Sequence, residues 1–257
     1  MPSETAEFGG QVALVTGAAG QGIGRAIARR LAADGATVIV TDIHATRTAK
    51  VTAEIAAEYP AATVVGYPMD AGDRDHVDHV LNEVTDSIGP VRILVNNAAM
   101  NVVGGIFDYE PADWDRIVRL NFSAPWYLCR VAMPIMRDAS GGVVVNIGSY
   151  APDLGGLGLE TPYAATKGGL AALTRALAHE GGPHQIRVNL VSMGVVTGTK
   201  FVDDNPVITQ RSDAIGPLGT LPDTSDIAET VAFLASRRAR HITGEIVNVA
   251  AGAYMRN

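Results

Sequence analysis

The sequence predicts an α/β protein built on one doubly wound parallel sheet with helices on both faces. Three observations carry the prediction. Apolar runs alternate with helix-period segments from Val12 to Leu190, the order that lays strands side by side with crossover helices between them. The runs are continuous, as in Val143-Val144-Val145-Asn146-Ile147, which suits strands covered on both faces. The first of them opens straight into a glycine-rich turn, at the carboxyl end of a strand, where such sheets bind their ligands.

The elements follow in order. Residues 11–16 form a strand that runs into Gly17-Ala18-Ala19-Gly20-Gln21-Gly22-Ile23-Gly24, and helical periodicity then centres on Ile27. Further strands end near Thr41, Pro68, Asn96, Ile147 and Leu190, with a last one over residues 245–249. Between them lie helices centred on Ile55, Val80, residues 118–131, Leu170 and Val231. Tyr59-Pro60 and Gly89-Pro90 punctuate turns, not linkers. Residues 1–257 therefore read as one domain, with 1–10 a flexible N-terminal segment and 198–217 a lid over a substrate site.

The glycine turn sits where a dinucleotide site needs it, between a strand and a helix. Glycines let the backbone approach a pyrophosphate, and the helix offers unpaired N–H groups and a positive dipole end. Asp42 ends the next strand, about 20 residues beyond the turn, where a carboxylate can accept hydrogen bonds from the adenosine ribose. The same carboxylate repels a 2′-phosphate. Ala18, Ala19 and Ile43 supply no cation nearby, while Arg47 lies close in sequence. NAD is thus expected in preference to NADP.

Tyr163 and Lys167 are four residues apart, one turn of a helix, on one face. A free phenol has a pKa of about 10, and an ammonium held beside it favours the phenolate. Ser149 follows the strand that ends at Ile147, and its hydroxyl can hold a substrate oxygen. The Tyr-Lys spacing alone is weak, because a helical Tyr and Lys are more often a half-buried aromatic beside a solvated charge.

Together these motifs resemble the classical short-chain dehydrogenase/reductase family over essentially the whole chain, which implies a Rossmann-type fold. Thr16-Gly17 with Gly22-Ile23-Gly24 is similar to the cofactor turn, Asp70 to the acid that binds adenine, and Asn96-Asn97-Ala98-Ala99 to the motif beneath the cofactor. Asn121, Ser149, Tyr163 and Lys167 match the catalytic tetrad. The resemblance implies that Tyr163 exchanges the proton, Lys167 lowers its pKa and binds the nicotinamide ribose, Ser149 orients the substrate, and Asn121 holds a water. The cofactor set it implies is Gly17, Gln21, Gly22, Ile23, Asp42, Ile43, Asp70, Ala71, Asn97, Ala98, Tyr163, Lys167, Val196 and Thr199. It also implies a homo-oligomer, a tetramer, pairing two apolar helices across a two-fold axis.

Five features depart from the family's pattern. The glycine turn is one residue longer, the Asn96-Asn97-Ala98-Ala99 motif ends in alanine, Met193 replaces a proline, and Val249-Ala250-Ala251-Gly252 lacks an aspartate. Gly198 stands where a threonine is common, with Thr197 or Thr199 to serve instead.

For substrate the expected wall is Met100, Val102, Leu154, Leu157, Met193 and Phe201, with Ser149 and Tyr163 at the reacting end. That set favours neutral, hydrophobic or cyclic alcohols and ketones over sugars and free acids. The reading is therefore an NAD-dependent oxidoreductase that interconverts a secondary alcohol and a ketone. A 3-oxoacyl-thioester reductase of fatty-acid type shares the motifs, and a non-catalytic nucleotide-binding scaffold on the same fold is the alternative outside enzymes.

Other chemistries lack support. His76 and His79 sit on a helix beside Val77, Val80 and Leu81, which reads as a solvated face and not a metal site. Asn146-Ile147-Gly148-Ser149-Tyr150 is not the nucleophile elbow of a hydrolase. A net charge of −7 without a Lys/Arg block argues against nucleic acid and anionic membranes. One cysteine, Cys129, no apolar leader and no run of about 20 apolar residues suit a cytoplasmic enzyme.

Overall fold

The computed structural model describes residues 6–204 and 215–255. Seven parallel strands form one sheet: β1 (Val12–Val15), β2 (Thr37–Asp42), β3 (Val64–Pro68), β4 (Val91–Asn96), β5 (Gly142–Ile147), β6 (Ile186–Met193) and β7 (Ile246–Val249). Their order across the sheet is β3-β2-β1-β4-β5-β6-β7, so the winding reverses between β1 and β4. The helices are α1 (Ile23–Ala33), α2 (Ala45–Glu58), α3 (Arg74–Ser87), α4 (Pro111–Val118), α5 (Ala124–Asp138), α6 (Thr161–Gly181), α7 (Lys200–Asp204) and α8 (Thr224–Ala235). Every expected strand is present.

The two faces of the sheet carry separate cores. Ala13, Val15, Val38 and Val40 face α1 and α8, while Leu14, Ile39, Leu94 and Val144 face α3 and α5. Alternation along each strand divides the buried residues between the two layers. Among the described residues no helix is long and apolar enough to cross a membrane.

Two expectations need correcting. Residues 6–10 are not loose: Phe8 is 0% exposed within the first core, and its N–H donates to the Asp34 carbonyl at 3.0 Å. Burial of the ring, together with this backbone hydrogen bond, offsets part of the entropy of ordering these residues. Residues 1–5 lie outside the described residues. The helical stretch around 118–131 is not one α-helix, because a π turn, Arg119–Ser123, separates α4 from α5. Pro125 has no N–H for the Asn121 carbonyl four residues back, and the Ala124 N–H reaches the Arg119 carbonyl instead. The expected lid begins as α7, but residues 205–214 lie outside the described residues.

Gly24 sets how closely α1 approaches the sheet. A Cβ there would stand 2.5 Å from both the Asn97 Nδ2 and the Gly17 carbonyl oxygen, whereas at Gly20 nothing lies within 4 Å. Gly24→Ala is therefore expected to cost about 1–3 kcal/mol by overpacking and Gly20→Ala less than about 1 kcal/mol. Urea denaturation of both variants checks this, and equal midpoints would contradict it.

Candidate functional site

The site is assembled at the carboxyl edge of the sheet, beginning where the winding reverses. The Thr16 hydroxyl accepts the N–H groups of Asn97 (2.9 Å) and Ala98 (3.0 Å) and donates to the Val95 carbonyl at 3.3 Å. In return the Asn97 amide donates to the carbonyls of Thr16 (2.8 Å) and Gly17 (3.1 Å). Gly17 takes φ 63° within this clamp, and Gly22 takes φ 142°, both regions that favour glycine. Gly22 caps α1 without a side-chain hydrogen bond, so the first amides of the helix, at Ile23 and after, have no partner within the helix. Gln21 is exposed beside them. Across from Gly22 stands Thr199, whose hydroxyl donates to the carbonyl of buried Val196 at 3.0 Å. The arrangement is a backbone cradle suited to an anion.

Asp42 is only 7% exposed at the end of β2. Its carboxylate accepts the His44 N–H and an Arg47 guanidinium N–H, each at 3.1 Å. Ile43 is 61% exposed beside it. Asp70 accepts the Gly72 N–H at 2.9 Å and Arg119 at 3.3 Å, next to buried Ala71. Sequence reasoning missed Arg119, since no local pattern links it to an acid so distant in the chain.

The four residues of the expected tetrad meet at the same edge. Asn121 is buried in the π turn, and its side chain pairs with the backbone of Met100, accepting the N–H at 2.9 Å and donating to the carbonyl at 2.8 Å. Both halves of the amide are thus committed to holding the loop after β4. Lys167 is buried, donates to the Ile147 carbonyl at 2.7 Å, and stands 5.6 Å from the centre of the Tyr163 ring. The Ser149 hydroxyl accepts the Ala151 N–H at 3.0 Å and hydrogen-bonds Tyr163.

The electrostatics run against the simple expectation for a Tyr-Lys pair. Burial pushes the Tyr163 phenol up to about 12, the charge of Glu160 adds to the rise, and only the Ser149 hydrogen bond opposes it. Burial also draws Lys167 down to about 8. Desolvation disfavours the charged form of each and is the largest cause of both shifts.

Of the expected substrate wall, Met100 and Val102 are half-buried in the loop after β4 and Leu154 is exposed. Met193 is 7% exposed and packs within the first core cluster, with Val191 and Val196. The side chains of Leu157 and Phe201 lie outside the described residues. Sequence reasoning also missed Asn101 and Glu160. The Asn101 amide donates to the Glu160 carboxylate at 2.7 Å, Gly104 and Glu160 form a β-bridge, and the Gly104 N–H donates to the Leu159 carbonyl at 2.8 Å. A signal was available, for Glu160 lies three residues before Tyr163, one turn away on a helix.

Away from this edge, the Cys129 thiol is buried and pushed up to about 12. His79 is exposed and pairs with Glu83 at 3.2 Å. Among the described residues no three His, Cys, Asp or Glu side chains gather to hold a metal ion.

The family model described as "Enoyl-(Acyl carrier protein) reductase" matches residues 17–254. An uncharacterized short-chain type dehydrogenase/reductase of Sinorhizobium fredii is 35% identical, over 95% of this chain and 97% of its own. The 3-oxoacyl-[acyl-carrier-protein] reductase FabG of Escherichia coli is 36% identical, over 96% and 99%. In fold, the chain is similar to a blue fluorescent protein from a metagenomic library, solved in complex with NADPH, with TM-score 0.87 and 33% identity over 97% of this chain and 100% of that one. Agreement of this extent, in sequence and in fold alike, makes the protein a member of the short-chain dehydrogenase/reductase family of oxidoreductases.

Proposed function

We propose that the protein interconverts a secondary alcohol and a ketone with a nicotinamide dinucleotide, NAD in preference to NADP. The observation that carries this reading is the meeting of Tyr163, Ser149 and Lys167 beside an open glycine cradle. Gly20 has nothing within 4 Å of a notional Cβ, and Gly22 has only Thr199, at 3.8 Å, so the cradle has room for a pyrophosphate. The amides around Gly17, Gln21, Gly22 and Ile23 would hold it. Asp42 would bind the adenosine ribose beside Ile43, and Asp70 and Ala71 the adenine. Asn97, Ala98, Val196, Thr199, Tyr163 and Lys167 would line the nicotinamide end. A nicotinamide bound there would supply the hydride acceptor for the carbinol carbon in oxidation and the hydride donor for the carbonyl in reduction.

The chain's own residues handle the proton. Ser149 holds the substrate oxygen, and Tyr163 gives its phenolic proton to that oxygen in reduction and recovers it in oxidation. With the phenol held up near 12, it is protonated at neutral pH and ready to donate. Oxidation needs the phenolate, so it gains as pH rises. Lys167 fixes the floor of the site through Ile147, and Asn121 fixes the substrate loop through Met100.

Tyr163→Phe is expected to lower kcat about 10²–10⁴-fold and to leave NAD binding, measured by fluorescence titration, within a few-fold. In the parent, kcat/KM for alcohol oxidation should climb between pH 7 and 9.5, while that for ketone reduction stays level because the phenol remains protonated throughout that range. A flat profile for oxidation would exclude Tyr163 as the acid and base.

Cofactor choice rests on Asp42, whose charge opposes a 2′-phosphate. Steady-state kinetics are expected to give a higher kcat/KM with NAD, and Asp42→Ala should narrow the gap by freeing Arg47 for that phosphate. Preference of the parent for NADP would reverse the assignment.

The likeness to FabG supports a second reading, reduction of a 3-oxoacyl thioester. Acetoacetyl-CoA assayed against neutral cyclic ketones separates the two, and a clear preference for the thioester would select this one. We also propose a homotetramer. Trp126 is 43% exposed on α5, and a groove of about 250 Å³ lined by Trp126, Met133 and Glu180 runs between α5 and α6. Light scattering should give four times the chain mass; a monomer at micromolar concentration would contradict it.

A further inference from the structure

Glu160 stands between the two loops that flank Tyr163 and is claimed by neither the proton chemistry nor the cofactor cradle. It precedes α6 directly, one turn ahead of Tyr163. Its carboxylate accepts the Asn101 amide at 2.7 Å, and its backbone bridges to Gly104. The latch is reinforced by the Tyr109 hydroxyl, which donates to the Val102 carbonyl. At Gly156, with φ 59°, a Cβ would stand 3.3 Å from those of both Glu160 and Ala164, so the absence of a side chain there lets the loop pass close to the start of α6. The Asn101 Oδ1, on the same amide, is buried with no hydrogen-bond partner. The amide and the carboxylate are thus held together between the loop after β4 and the start of α6.

We propose that Asn101 and Glu160 form a charge filter for substrate: they reject alcohols and ketones that carry an anionic group near the reacting carbon and favour those carrying a hydroxyl or ammonium donor there. The filter rests on the dehydrogenase reading above and deepens it. The charged and titratable groups facing Tyr163 are Glu160 and Lys167, with the Ser149 hydroxyl; those facing Glu160 are Tyr109 and, behind it, Asp113. Apart from Lys167, which burial draws down to about 8, none is cationic. Among the described residues no cation pairs with Glu160, whose carboxylate has the Asn101 amide as its hydrogen-bond donor, and the same charge that adds to the burial effect on the Tyr163 phenol opposes a carboxylate on the substrate.

The test uses three matched probes, trans-4-methylcyclohexanol, trans-4-aminocyclohexanol and trans-4-hydroxycyclohexanecarboxylate, together with the ketone of each. The parent should prefer the methyl probe over the carboxylate by about tenfold or more in kcat/KM, and Glu160→Gln should reduce that ratio at least about fivefold. Glu160→Gln should also move the rise of alcohol oxidation with pH toward lower pH, because the phenolate loses a neighbouring negative charge. Asn101→Ala removes the donor that keeps the acid ionised, so its discrimination should be weak at low pH and return as pH rises. Ligand-detected NMR of ketone binding needs no turnover. A parent that binds the ketones with this selectivity but oxidises none of the alcohols would defeat the dehydrogenase reading alone. Equal ratios in parent and Glu160→Gln, by kinetics and by binding, would overturn the filter, as would a parent that binds none of the probes.

Discussion

A single threonine hydroxyl holds the junction on which the site depends. Thr16 directly follows the first strand, and its oxygen takes two amides from the chain leaving β4 while Asn97 reaches back to the carbonyls of Thr16 and Gly17. Two strands that separate at the reversal of the winding are thereby tied at their tips. Parallel strands leave a crevice where the winding reverses. Here the crevice has a fixed width because its walls share hydrogen bonds, and Gly24 lets α1 close down on them. The anion cradle and the floor of the site are consequences of one small polar network.

A second network ties the rest of the site to this junction. Asn96 and Asn146 face each other in register on β4 and β5, and the Asn96 amide donates to Asn146 at 2.8 Å. Asn146 donates in turn to Thr174 of α6 at 2.9 Å, and Thr174 to the Leu170 carbonyl. All three side chains are buried. A buried amide that slipped by one residue would lose its partners, so such a chain fixes register and helix position more firmly than apolar packing does. Ser149 leaves β5 just beyond this chain and Tyr163 lies on the helix it holds, which sets the distance between the two groups that meet the substrate oxygen.

The sheet was legible in the sequence because buried parallel strands leave continuous apolar runs and the glycines between them are local signals. Tyr163 with Lys167, and Gly17 with Gly22, are patterns of near neighbours and could be picked out locally, whereas Asn121 was singled out only by the family resemblance, which also tied Ser149 to the pair. What escaped was long-range or electrostatic. Arg119 on Asp70 joins residues far apart in the chain. The Asn101–Glu160 latch joins two loops whose composition suggested only an apolar wall. The direction of the Tyr163 shift escaped because spacing shows that an ammonium is near but not how much water both groups have lost. Phe8 escaped because one aromatic residue in a polar terminus has no periodicity to mark it. The π turn was foreshadowed by Pro125, whose missing N–H is read from the sequence once its register to Asn121 is noticed.

The use of Asn121 has a consequence for how such a chain can diversify. Its amide holds both the N–H and the carbonyl of Met100, and the Leu159 carbonyl holds Gly104. The backbone between those two anchors is short and pinned at both ends by bonds that do not involve the side chains of residues 101–103. Asn101 is tied to Glu160 through its side chain, but Val102 and Val103 are free to be rewritten in size, polarity or charge without moving the frame that presents them, so the chain can acquire new substrates by editing letters in a fixed line, with its proton-handling groups left in place.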